Sequence, residues 1–320
     1  MRLRQDMDDP ATQFGGDDPS ERGGRRRSRR IRLRKLGPTG VWPTLFTLGN
    51  LVAGFTAIHF AAKPVIAGEA VAGPWGWTSL TVASVLVLLG AFFDCIDGSV
   101  ALLTDGVTEM GGQLDSLADL VTFGVAPAFI TLHVASQYIG VEGISSIVNP
   151  DTATTLGKIS WAIAAIFVCC AALRLARFNV ETASGRLGDT LSFRGLPTPG
   201  AAGAVVGLVL MHEHLAVVAG NNPEGAMSIV VGLIAIALPF VALLAAIMMV
   251  STVPYRHLAN RYLRVSRSFG YLVRVAVLLC LAVLWLQETI AAVFLLYLCS
   301  GPVDVLLNRG RVGREQDVAA

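Results

Sequence analysis

The chain has 320 residues, of which 53% are hydrophobic and only 15% charged, with 33 glycines besides. Typical soluble proteins carry about 25% charged residues, so this composition excludes a water-soluble globular fold and points to a membrane protein. The net charge of +2 conceals an asymmetry: residues 1–40 hold 11 Lys/Arg against 6 Asp/Glu, whereas the other 280 hold 14 against 17.

In chain order, residues 1–40 read as a disordered cytoplasmic arm whose run Arg25-Arg26-Arg27-Ser28-Arg29-Arg30 touches anionic lipid. No aromatics are interleaved for base stacking, so nucleic acid is not an expected partner, and no signal peptide is expected. A bilayer core of about 30 Å needs roughly 20 apolar residues per helix. Eight segments meet this: about 41–62, 75–93, 116–136, 159–176, 197–216, 226–250, 271–287 and 289–305, the last two joined as a tight hairpin. Long apolar runs, rather than short alternating ones, predict an all-α polytopic transmembrane bundle and not a barrel. Residues 41–216 are expected to form the transmembrane core, 217–306 to add further helices, and 307–320 to be a cytoplasmic tail. With the N-terminus inside, 23 of 25 Lys/Arg fall on the cytoplasmic face, leaving only Lys63 and Lys158 outside. Both termini are then cytoplasmic. Five cysteines without a CxxC spacing argue against a disulfide framework or a zinc site.

The sparse acids concentrate. Asp94 and Asp97 are three apart at the inner end of the second span, and Asp115 and Asp119 are four apart at the start of the third. Each pair shares a helix face, and a short connection makes the two helices antiparallel neighbours. Four converging carboxylates cannot all stay ionised without compensation, and no Lys or Arg lies within 94–119. Two divalent cations, Mg²⁺ or Mn²⁺, resolve this, since all-oxygen ligands suit them and paired ions stabilise displacement at phosphorus. Gly98 and Ala101, one turn on, leave room for a nucleotide against the backbone. One Asp at a membrane boundary would be an ordinary solvated residue; two facing pairs indicate function.

The spacing Asp94-x2-Asp97-Gly98-x2-Ala101-x9-Gly111-x3-Asp115-x3-Asp119 resembles the signature of the CDP-alcohol phosphatidyltransferases, with Leu102 where that family has Arg. Three further blocks, 122–128 (TFGVAPA), 173–180 (LRLARFNV) and 193–199 (FRGLPTP), resemble its serine-using branch. So do Pro43-Thr44-Leu45-Phe46-Thr47 and Asn50-Leu51-Val52-Ala53-Gly54, with Thr44 in place of Asn. The resemblance covers about 43–200 and implies transfer of a phosphatidyl group from CDP-diacylglycerol to L-serine, giving phosphatidylserine and CMP. It implies that Asp94, Asp97, Asp115 and Asp119 hold the metals, that Asp119 is the base, and that Asp94, Gly98, Ala101, Thr47 and Gly111 bind CDP. It further implies a homodimer in the cell inner membrane. Arg174 and Arg177, one turn apart, offer planar donor forks to phosphate or to an acceptor carboxylate, with Asn179 beside them. Other acceptors (glycerol 3-phosphate, inositol phosphate, choline) and, from a different class, a cation transporter stay open.

Elsewhere, His212-Glu213-His214 lacks the zinc-protease spacing and is expected to be interfacial, while His59 and His133 are expected to be packed or satisfied within the bundle. Gly203 and Gly207 predict close helix packing. Asp105 and Glu109 are expected to be solvated.

Overall fold

The computed structural model describes residues 41–63, 77–103, 109–138, 155–183, 192–220, 225–256 and 284–318. The arm expected at 1–40, most of the span expected at 271–287, and Asp105 lie outside these residues. The tight hairpin expected between 287 and 289 does not form there: both residues lie in the last helix, which begins at Leu286, and the Thr289 N–H already donates to the Trp285 carbonyl at 2.9 Å.

Apolar runs become helices because in lipid every backbone donor and acceptor must be satisfied within its own segment. The helices are α1 (Val41–Ala61), α2 (Ser79–Leu103), α3 (Glu109–Asp119), α4 (Ala126–Tyr138), α5 (Thr155–Ala183), α6 (Thr198–Ala219), α7 (Ala226–Val250) and α8 (Leu286–Val318). A π-helical turn, Leu120–Val125, joins α3 to α4 in one continuous rod. Seven helices among the described residues are therefore long and apolar enough to cross a membrane, matching seven of the eight expected spans. This is an integral membrane protein with an all-α bundle. Several helices outrun their apolar segments, α2 by ten residues, because backbone hydrogen bonding continues where hydropathy stops.

The α3–α4 rod and α6 form the interior: 67% of each span is buried, against 17% for α8. Helix α6 can be central because it is narrow. Its Gly200, Gly203 and Gly207 form a flat face that receives α8, as the spacing predicted. A Cβ at Gly200 would lie 2.9 Å from the Tyr297 ring, one at Gly207 3.1 Å from the Ala291 Cα, and one at Gly203 would overlap the Phe294 ring.

Two three-residue strands, β1 (Ser192–Arg194) and β2 (Pro254–Arg256), pair antiparallel with Phe193 opposite Tyr255. Gly195 follows at φ +87°, where a Cβ would meet the Met249 carbonyl at 2.6 Å. Its N–H donates to the Val253 carbonyl at 2.9 Å. Tyr255 is buried, and its hydroxyl donates to the Leu298 carbonyl of α8 at 3.0 Å. Burial, with Tyr297 and Cys299 nearby, pushes the Tyr255 phenol up to about 12.

Candidate active site

Two helices supply the acidic centre. Asp94 and Asp97 come from the far half of α2, and Asp115 and Asp119 from α3. Side-chain oxygens of Asp94, Asp97 and Asp115 lie within 4.8 Å of one another. Two unit charges at that range repel by about 3 kcal/mol at an effective dielectric of 20. None of the four aspartates joins an ion pair among the described residues. Asp97 is buried, and Asp115 Oδ1 is a buried oxygen without a hydrogen-bond partner. A converging, uncompensated set of oxygens with one orphan atom fits a hard divalent cation, whose charge and coordination would satisfy all three.

Helix α1 supports this centre from the side. Thr47 Oγ1 donates to Asp97 Oδ2 at 2.9 Å. One turn on, Asn50 Nδ2 donates to Asp119 Oδ1 at 2.9 Å. Asp119 is thereby distinguished from the other three: it lies outside their tight group and is held by an amide. The spacing of Thr47 and Asn50 puts both on one face of α1, and that is the signal a sequence offers for Asn50. Its partner on another helix is not legible there. Gly98 has nothing within 4 Å of where its Cβ would be, so the backbone beside the acids is open. Ala101 and Gly111 flank the centre along α2 and α3.

The expected acceptor residues all lie on α5. Arg174 is half-buried, within electrostatic reach of Tyr297, Arg177 and Glu181. Arg177 Nε meets Glu181 Oε1 at 2.8 Å. Exposed pairs of this kind are worth about 0.3–0.5 kcal/mol, so an arriving anion competes with Glu181 at little cost. Asn179 Nδ2 donates to Ser116 Oγ at 2.9 Å, linking α5 to the residue after Asp115. A cavity of about 320 Å³ opens here between α3 and α5, its lining including Leu117, Leu120 and Leu175 together with Gln113, Ser116 and Asn179.

His212 and His59 depart from expectation, while His133 is packed in the bundle as expected. His212 and Glu213 are buried rather than interfacial, since Glu213 Oε2 accepts from Thr78 Oγ1 at 2.6 Å and Oε1 lies 3.0 Å from His212 Nδ1. His133 is buried with neither ring nitrogen hydrogen-bonded, and His59 is exposed, edge-on to Phe60.

The CDP-alcohol phosphatidyltransferase family model matches residues 41–254, two thirds of the chain. The chain belongs to that family. The match spans the acidic centre and the Thr47 and Asn50 that support it. A CDP-diacylglycerol–serine O-phosphatidyltransferase from Helicobacter pylori strain J99 is 31% identical over 266 residues, covering 83% of this chain and 91% of the relative. One from Bacillus subtilis strain 168 is 29% identical over 179 residues, 56% of this chain and 81% of the relative. One from Saccharomyces cerevisiae is 39% identical over 130 residues, 39% and 40% of the two chains.

Proposed function

We propose that this member of the family transfers the phosphatidyl group of CDP-diacylglycerol to the hydroxyl of L-serine, giving phosphatidylserine and CMP. The observation that carries the reading is the convergence of Asp94, Asp97 and Asp115 without counter-charge, in a chain whose relatives bear that activity in their names. Asp94, Asp97 and Asp115, with Asp119 completing the set, would hold two divalent cations, Mg²⁺ or Mn²⁺. When bound, these would neutralise charge on the pyrophosphate and on departing CMP. Asp119 takes the proton as the serine oxygen attacks the phosphorus attached to diacylglycerol; the new P–O bond forms as the bond from that phosphorus to the CMP oxygen breaks.

Thr47, Gly98, Ala101 and Gly111 line the approach for CDP, and the open backbone at Gly98 supports this. Arg174, Arg177 and Asn179 receive the acceptor carboxylate or phosphate oxygens. A lipid substrate, a nucleotide and a water-soluble acceptor meet at a membrane boundary. The Lys/Arg bias supports a cytoplasmic orientation for that boundary, in a cell inner membrane. Residues 41–216 then form the catalytic core, and the working unit is a homodimer.

The test is purified protein with labelled CDP-diacylglycerol, Mn²⁺ and a panel of acceptors. Serine-dependent CMP release is expected. Release with glycerol 3-phosphate, inositol phosphate or choline but not serine would reassign the acceptor, and none with any acceptor would sink the reading.

A further inference from the structure

The bond between Asn50 and Asp119 has a second half. Asn50 is fully buried, and its backbone carbonyl accepts from Thr122 Oγ1 at 2.9 Å. Asp119 and Thr122 stand at the entry and the middle of the π turn, so one residue of α1 grips that turn twice. The grip needs very close helix approach. A Cβ at Gly54 would lie 2.7 Å from the Thr122 Cα, and one at Gly90 would lie 2.8 Å from Asn50 Oδ1. Two glycines, on α1 and α2, thus leave the room in which Asn50 and Thr122 meet.

The orientation of the Asn50 amide is informative. A carboxylate accepts only, so the amide must turn its NH₂ toward Asp119. That leaves Asn50 Oδ1 buried against Gly90 without a partner. An unsatisfied buried acceptor costs about 1–3 kcal/mol, so the amide is set by Asp119 rather than by its own best pairing. The bond occupies Oδ1 of Asp119 and leaves Oδ2 outside that contact.

We infer that Asn50, clamped to the π turn through Thr122, is a positioning residue that fixes the Asp119 carboxylate so that one defined oxygen faces the reacting hydroxyl. This rests on the proposed role of Asp119 as the base. Misplacing a reacting group by about 1 Å costs on the order of 100-fold in rate without weakening substrate binding.

The experiment compares wild type with Asn50→Leu, which keeps most of the volume and removes the donor, and Asn50→Asp, which keeps the shape and replaces the donor with an acceptor. Thr122→Val removes only the second grip. CMP release, KM for serine and for CDP-diacylglycerol, and melting temperature with and without Mn²⁺ are measured on each. The expected result is a 30- to 300-fold fall in kcat for both Asn50 variants and a smaller fall for Thr122→Val, with both KM values within threefold and Mn²⁺-dependent stabilisation retained. Wild-type kcat in Asn50→Asp overturns the inference. So does a loss confined to KM, which would make Asn50 a substrate contact, or a loss that tracks lost melting temperature or lost Mn²⁺ response, which would make it structural. If Asn50→Leu does not fold, the isosteric Asn50→Asp and Thr122→Val decide on their own. Wild type that releases no CMP with any acceptor overturns the proposed function and this inference with it; active wild type beside equally active Asn50 variants overturns this inference alone.

Discussion

Acids are buried at both ends of α2, and the two ends treat them in opposite ways. Near its start, Thr78 and His212 each lie within hydrogen-bonding distance of a separate oxygen of Glu213. Some 16 residues on, about 24 Å along the helix, Asp94, Asp97 and Asp115 crowd within 4.8 Å with an orphan oxygen among them. A single acid whose oxygens are satisfied locally is compatible with a role in holding helices together. Several acids turned toward each other, with no counter-charge and one orphan oxygen among them, call for something that arrives. His133, near Glu213, also lacks hydrogen-bond partners, but an imidazole can be neutral and so carries no converging charge. Burial of a carboxylate is thus a poor marker of function, and unsatisfied convergence a good one.

The contrast can be broken most forcefully at Asp119. Asp119→Asn is expected to lower kcat for CMP release by about 10²–10⁴-fold, the usual worth of general-base help, with the protein still folded. Full activity in this variant would remove the mechanism. Next comes the cation. At 100 times its dissociation constant, Mn²⁺ is expected to stabilise the wild type by about 2.7 kcal/mol, seen as a raised melting temperature in detergent. Asp115→Asn should lose most of that response; an unchanged response would mean the three carboxylates do not bind the ion.

At the other end, Glu213→Ala should cost about 1–3 kcal/mol of stability, because Thr78 and His212 lose their acceptor. CMP release per folded molecule should be unchanged. If activity collapses while melting temperature holds, the two ends are not different in kind. The smallest effect concerns Tyr255, whose phenol sits near 12 in the fold and near 10 when unfolded. A raised pKa favours the protonated fold, so its contribution is present below pH 10 and lost as pH rises through 12. Tyr255→Phe should cost about 1 kcal/mol at pH 8 and flatten the alkaline decline of melting temperature.

The sequence makes the spans legible because lipid leaves little alternative to helix wherever twenty apolar residues run together. It makes the aspartates legible because 94/97 and 115/119 each repeat at helical spacing in a segment without a base. What it hides is relation between helices. Nothing local to Asn50 says that its amide meets Asp119, and nothing local to Glu213 says that Thr78 will cover it, which is why 212–214 reads as interfacial. The β1–β2 strap is equally invisible, since three residues carry no periodicity.

The π turn has a further consequence, for how the third span is assembled. One extra residue advances a helix by about 100°, so Leu120–Val125 acts as a phase shifter between two halves of a single rod. The half below is clocked to α1 and α2, where its aspartates must point. The half above is clocked independently to the interior, where Ile130 and Val134 are fully buried. Deleting one residue between 120 and 125 would leave the composition almost untouched and give a more regular helix. It would also swing either the acids out of their centre or the apolar stripe out of its own.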